Sequence, residues 1–250
     1  MVGEARSSDG STIQYLDTEA TYDLWAQHYD TDGNFLTAVD SEEMQSLMPK
    51  FLSMLNFPKP WKIVDLGCGT GRNTARLVGL VETNVVALDL SQKMLDISKQ
   101  RFHSAKVEGT VVFETYDMLK APSPPTVALG ATAVISTLVV EHIPLPDYFE
   151  AVSLILRPGG LLLLTNMHSD MGRITQAGFV EPETGQRIRP TSYAHSVHDI
   201  VSEADKQGFE VIMPFRERTL TENDLELLSP RAAKYVGMRI WYGGILRKRI

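Results

Sequence analysis

The chain has 250 residues, 22% of them charged and 43% hydrophobic, with 24 basic against 31 acidic side chains for a net charge of −7. That length buries a substantial core and suits one α/β domain with additions; the acidic balance provides no basic stripe for a nucleic acid, and a lone cysteine excludes an internal disulfide. No run reaches the ~20 apolar residues of a bilayer span, and Met1–Gly10 lacks a signal-peptide core, so a soluble cytoplasmic protein with no membrane partner is expected.

Residues 1–12 are small and polar and are expected to be disordered, leaving 13–250 as a single domain. Between Thr18 and Phe35, the apolar side chains Tyr22, Trp25, Ala26 and Tyr29 recur at helical spacing, with Asp23, Gln27 and Asp30 off that face. The plainer reading of this stripe is core packing; the functional one is an aromatic cover over a ligand. Ser41–Leu55 reads as a second helix with Met44, Leu47, Met48, Phe51, Leu52 and Leu55 on one face, kinked or split at Pro49 and ended by Pro58 and Pro60. Together 18–56 forms a helical cover ahead of the first core strand.

From there the pattern alternates strand and helix, which implies a doubly wound, mostly parallel sheet with helices on both faces. Ile63-Val-Asp-Leu66 is an apolar run that meets an acid, Asp65, and opens into Gly67, Cys68, Gly69, Thr70 and Gly71. Asn84-Val-Val-Ala-Leu-Asp89 is a second such run, capped by an acid placed to hold a ribose. Leu90 follows, then Ser91 as a helix N-cap and Met94, Leu95 and Ile97 on an apolar face. Val111–Asp117 repeats the strand-and-acid design before Met118, and Pro122–Pro125 reads as a surface connection. Ala131–Val140 is the fourth strand with its exit, and Arg157–Gly160 turns the chain into a fifth, Leu161–Leu164; such continuous apolar runs suit strands covered on both sides. The segment 168–195 is polar and long enough to act as a lid on the substrate side. Glu210–Met213 and Ile240–Leu246 read as two further strands.

Glycine permits a left-handed backbone and lets backbone N–H groups approach a ligand with no Cβ in the way. A dinucleotide fingerprint needs glycine at position 72, where this chain has Arg72, and that weakens a nicotinamide dehydrogenase reading. The segment Val64-Asp-Leu-Gly-Cys-Gly-Thr-Gly71 resembles the first motif of the class I S-adenosylmethionine-dependent methyltransferases. The resemblance extends from about Thr21 to the end and is strongest between Ile63 and Gly160. It implies a Rossmann-like fold whose last two strands form an antiparallel hairpin completing a seven-stranded sheet, S-adenosyl-L-methionine as cofactor, and a small-molecule acceptor.

Carried over residue by residue, the resemblance gives Asp65, Gly67, Cys68, Gly69 and Gly71 as the loop around the cofactor, and Asp89 as its ribose acceptor. A Ser and a Met, here Ser91 and Met94, then lie near the adenine, with Leu90 also at the cofactor; Asp117 and Met118 contact the adenine, and Ser136 of the fourth strand joins the cofactor site. Tyr22–Asp30 resembles the family's amino-terminal cover, with Tyr29 as a cofactor contact and Tyr22 and Trp25 facing substrate. Read from residue chemistry alone, Cys68 is a small buried side chain with no reactivity, and Asp117 alone is a solvated loop acid.

Methyl transfer to a hydroxyl needs a base, and histidine suits that work. His142, after the fourth strand, is the first candidate; its plainer reading is the cap region of the next helix. His195 is the second, in a cluster with Tyr193 and His198 that lies where related enzymes carry substrate-facing residues, which makes Tyr193 a substrate candidate; the cluster also reads as a helix start capped by Ser196. No metal is expected, because two histidines without cysteines do not make a zinc site. Arg173, with Arg187 and Arg189, either decorates a surface loop or pairs with a substrate carboxylate. The reading is O-methylation, at a hydroxyl or carboxylate, of a small organic molecule of the secondary-metabolite kind. The alternatives kept open are N-methylation of an amine, a rearrangement or cyclisation without methyl transfer, and the dehydrogenase.

Overall fold

The computed structural model describes residues 3–6, 12–104, 111–121 and 123–250. Two short strands, β1 (Gly3–Arg6) and β2 (Thr12–Tyr15), precede α1 (Thr18–Trp25) and α2 (Phe35–Ser53). Then come β3 (Trp61–Leu66), α3 (Thr74–Val78), β4 (Thr83–Asp89), α4 (Gln92–Ser104), β5 (Val111–Thr115), β6 (Ala131–Thr137), α5 (Leu145–Ile155) and β7 (Leu156–Met167). The chain closes through α6 (Ser169–Gly172), β8 (Phe179–Val180), β9 (Arg187–Arg189), α7 (Val197–Lys206), β10 (Phe209–Thr219) and β11 (Arg239–Lys248).

The main sheet has seven strands in the order β10-β11-β7-β6-β3-β4-β5. Its five central and distal strands run parallel, and β10 and β11 join as the antiparallel hairpin expected at the carboxyl end. Successive residues of a strand point to opposite faces, and here both faces are buried. Val64, Val86, Val134 and Leu162 pack with Tyr148, Phe149 and Val152 of α5 and Ile200 of α7. Their neighbours Ile63, Val85, Ile135 and Leu161 pack with Met44, Leu47 and Phe51 of α2 and Leu77 of α3.

Pro49 neither splits nor ends α2, which runs unbroken from Phe35 to Ser53. One missing backbone donor is outweighed by the apolar face that this helix buries against the sheet. That burial also makes α2 part of the core. The helical stripe expected through Tyr29 stops early: α1 ends at Trp25, and the chain continues in tight turns, His28 N–H to the Trp25 carbonyl and Thr31 N–H to the His28 carbonyl. The caps at Ser91 and Ser196 form as the sequence suggests, the latter as a reciprocal capping box with Asp199.

A second sheet, in the order β1-β2-β9-β8, joins the amino terminus to the segment expected to be a lid. Ile13, Gln14 and Tyr15 pair in parallel with Arg187, Ile188 and Arg189. The expectation of disorder over 1–12 is therefore corrected at Gly3–Arg6, a strand whose backbone pairs with Thr12–Tyr15; residues 1, 2 and 7–11, like Pro122 of the proline-rich connection, lie outside the described residues. Among the described residues no helix is long and apolar enough to cross a membrane.

Candidate cofactor and acceptor site

Ligands of open α/β sheets bind beyond the carboxyl ends of the strands, and a cavity of about 300 Å³ lies there, at the ends of β3, β4 and β6. Its floor is the glycine loop. Gly67 (φ +74°), Gly69 (φ +54°) and Gly71 (φ +86°) all hold a left-handed backbone, but for different reasons. A Cβ on Gly67 would meet Val139 at 2.2 Å, and one on Gly71 would meet Ser98 at 2.3 Å, so these two admit neighbouring elements. A Cβ on Gly69 would meet nothing within 4 Å: its open side faces the cavity.

Asp89, the last residue of β4, is held by the Gly69 N–H at 2.8 Å and the Ser91 N–H at 2.9 Å, one on each carboxylate oxygen. Each oxygen keeps a second acceptor site for a hydroxyl from the cavity. Burial pushes its pKa up to about 6 against the two backbone donors that favour the charged form. Leu90, Met94 and Met118 supply apolar lining, Asp117 adds a carboxylate, and Tyr29 joins from the turn after α1. Asp117 also accepts the Leu119 N–H at 2.9 Å, which shapes the loop after β5.

Four residues expected at the cofactor do not line this cavity. Asp65 lies within β3 and accepts the Thr74 hydroxyl at 2.6 Å, bracing the strand against α3; burial raises its pKa to about 6 as well. Cys68 packs with Ala87 and Leu95, and burial pushes its thiol well up, as for an inert small apolar side chain. Gly71 serves the approach of α4. Ser136 is buried in β6 toward Tyr148.

His142 sits not in the α5 cap but in a single tight turn, Val140–His142, ahead of Pro144. Its Nδ1 faces the Thr191 carbonyl at 2.8 Å. A carbonyl only accepts, so Nδ1 carries the proton and Nε2 is left as an acceptor, here of the Tyr22 hydroxyl at 2.8 Å. The buried Glu141 carboxylate lies 3.5 Å from Nε2. Burial, and then the neighbouring Tyr29, Glu141 and Asp89, keep the Tyr22 phenol protonated.

Tyr22 stacks on Trp25 (centroids 5.6 Å apart), and Trp25 on Phe179 (5.2 Å). This aromatic series walls a second cavity of about 700 Å³. Tyr22, Tyr29 and Leu138 line both cavities. Tyr193 lines the first, with Thr191 beside it. His195, the second candidate base, is set apart: its Nε2–H donates to the Ile143 carbonyl at 2.9 Å, its ring stacks on Tyr193, and burial lowers its pKa. Arg173 lines neither cavity; it is exposed and pairs with Asp170 at 3.5 Å.

Sequence reasoning missed Thr191, whose contribution is a backbone carbonyl with no side-chain signal, and Leu138, whose left-handed φ of +59° turns β6 into the cavity wall where glycine would be the residue to look for. It also missed Asp40, a fully buried carboxylate that accepts Thr165 Oγ1 at 2.5 Å, Trp241 Nε1 at 2.9 Å and the Arg72 guanidinium at 2.6 Å. Arg72, which counted against a dinucleotide, thus anchors the glycine loop to α2.

Residues 63–160 match the model of a methyltransferase domain. The chain is 42% identical over 266 residues to an uncharacterized methyltransferase of Emericella nidulans, covering 95% of this chain and 93% of that protein. The chain belongs to the class I S-adenosylmethionine-dependent methyltransferase family. An O-methyltransferase of Penicillium expansum is 28% identical over 43% of this methyltransferase and 38% of its own length. A solved S-adenosylmethionine-dependent methyltransferase from Mesorhizobium loti shares the fold, with a TM-score of 0.57 and 21% identity over 80% of this chain and 96% of that one. The dehydrogenase alternative is thereby set aside. The first cavity fits this family's cofactor: Gly69 leaves its open side free, Asp89 offers paired acceptors to ribose hydroxyls, and Leu90, Met94 and Met118 offer an apolar slot to the adenine.

Proposed function

We propose that this methyltransferase acts on an oxygen, a hydroxyl or a carboxylate, of a small organic molecule of the secondary-metabolite kind. We further read 13–250 as one domain, with α1 and its following turn as the cofactor cover and 168–195 as the substrate-side lid. The observation that carries the reading is the hydrogen-bonded series from Tyr22 through His142 to the Thr191 carbonyl, set at the wall between the two cavities. The relative from Penicillium expansum lends support by its name.

When bound, S-adenosylmethionine supplies a methyl group already activated by positive sulfur. The work left to the protein is to hold the acceptor about 3 Å away in line and to take its proton. Thr191 fixes the imidazole with its Nε2 lone pair toward the wall. A hydroxyl entering from the second cavity passes its proton to Nε2, either by displacing the Tyr22 hydroxyl or through the Tyr22 oxygen, which receives one proton as it gives up another. The imidazolium so formed lies beside the Glu141 carboxylate, which stabilises it as the aspartate of a hydrolase triad does.

The test is S-adenosylhomocysteine release with hydroxyl and amine acceptors in wild type and His142→Ala. Loss of a general base slows turnover of hydroxyl acceptors by about 10²- to 10⁴-fold, with little change in cofactor affinity. A variant as fast as wild type would remove His142 as the base. Transfer to nitrogen is the second reading, favoured by the aromatic faces of Tyr22, Trp25 and Tyr29; it predicts amine turnover that survives the substitution. No release with any acceptor, together with intact cofactor binding, would favour a rearrangement without transfer.

A further inference from the structure

The second cavity, at about 700 Å³, lies within the range of about 300 to 1,000 Å³ that encloses a drug-sized ligand, and its lining is shared between apolar side chains and polar or charged ones. Trp25, Phe35, Met167, Met171, Phe179 and Tyr235 give it an apolar body. Its charged lining is lopsided. Arg187 and Arg189 come from β9, Arg231 and Lys234 from the turn Pro230–Tyr235, and among the described residues of the lining Glu141 is the single acid. In a chain of net charge −7, four cations around one opening is a local reversal. Arg231 is tied by Nη1 to the Asp32 carbonyl at 2.9 Å, and Lys234 lies with Nζ 4.9 Å from the Tyr235 ring centre, so both are held at the opening. The acid is elsewhere: Glu141 is buried, bonded to Asn166 and next to His142.

We propose that this cavity takes a hydroxylated organic acid with an apolar body, its carboxylate among Arg189, Arg231 and Lys234 and its hydroxyl at Tyr22. The inference rests on the methyl-transfer reading and narrows it. A carboxylate at the reacting end would face Glu141 as a like charge, whereas a neutral hydroxyl there has a proton to give to His142. A cationic amine meets Arg189, Arg231 and Lys234 at the opening. The guanidinium fork and the ammonium together suit a carboxylate, and the apolar walls bury the remainder.

Ligand-observed NMR on the full chain tests it with 4-hydroxycinnamate, its methyl ester and tyramine, each measured with and without saturating S-adenosylhomocysteine. The acid is expected to bind at least about tenfold more tightly than the ester, the size of one hydrogen bond to a charged group, and tyramine least. Arg189→Gln with Lys234→Gln should erase that margin without moving the affinity for S-adenosylhomocysteine. Lys234→Gln alone, on an exposed side chain, should reduce the margin even if the double variant does not fold. Equal binding of acid and ester, preferred binding of tyramine, a margin that survives the substitutions, or no binding of any probe overturns the proposal. Loss of S-adenosylhomocysteine binding in wild type would instead overturn the methyl-transfer reading, and the acid-to-ester comparison in its absence keeps the two failures apart.

Discussion

Gly67, Gly69 and Gly71 share a backbone conformation but answer to different neighbours, so substituting each should have a different consequence. Gly67→Ala drives a methyl into Val139 and should cost about 1–3 kcal/mol by overpacking, on top of left-handed strain of about 1–2 kcal/mol. Urea unfolding would show it. Gly69→Ala carries only the strain of about 1–2 kcal/mol but puts a methyl where the cofactor approaches, so calorimetry should show weaker S-adenosylhomocysteine binding in a protein that still folds. Alternating glycines were legible in the sequence; which of them faces a ligand was not, because that depends on Val139, Ser98 and Phe102 arriving from distant elements. The two strand acids beside the loop divide in the same way. Asp65 and Asp89 end similar apolar runs and are pushed by burial to similar pKa values, yet one braces α3 and the other opens onto the cavity.

At the scale of elements, α2 is pinned by one side chain. Asp40 on this helix accepts from Thr165 on β7, Trp241 on β11 and Arg72 at the glycine loop. Asp40→Ala strands those donors and a largely buried guanidinium, and should destabilise the fold by about 3–5 kcal/mol in urea titration. A change below about 1 kcal/mol would mean that water takes over the carboxylate's role. Long apolar strands and capped helices were readable because their periodicity is local. The small sheet was not: β2, β8 and β9 are two to four residues long, and their pairing joins Ile13–Tyr15 to Arg187–Arg189 across most of the chain. Phe179 of β8 stacks on Trp25 at the wall of the second cavity. Phe179→Ala should therefore weaken acceptor binding while S-adenosylhomocysteine affinity holds, a split readable as KM for the acceptor against cofactor Kd.

Across the whole molecule, the five parallel strands of the main sheet direct their carboxyl ends to one edge, where α1, the glycine loop and the His142 turn meet. That convergence was implied by the alternation of strand and helix, and the motif carried the cofactor with it. The base candidates divided on contacts that no local pattern contains: Thr191 turns His142 toward the wall between the cavities, and Ile143 takes the Nε2–H of His195. The central claim is that Asp89, oriented by the backbone of Gly69 and Ser91, accepts the cofactor's ribose as a carboxylate. Its pKa near 6 means that protonation removes the acceptor on the acid side, so binding favours the ionised form and weakens as pH falls through that value. Calorimetric titration of S-adenosylhomocysteine from about pH 5 to about pH 8 in wild type and Asp89→Asn tests this directly. The account predicts a wild-type affinity that falls by up to about tenfold per pH unit below about 6, and a variant weaker by about 1.5–3 kcal/mol at neutral pH with no such fall. Equal affinity in the two proteins, or the same pH dependence in both, would contradict it.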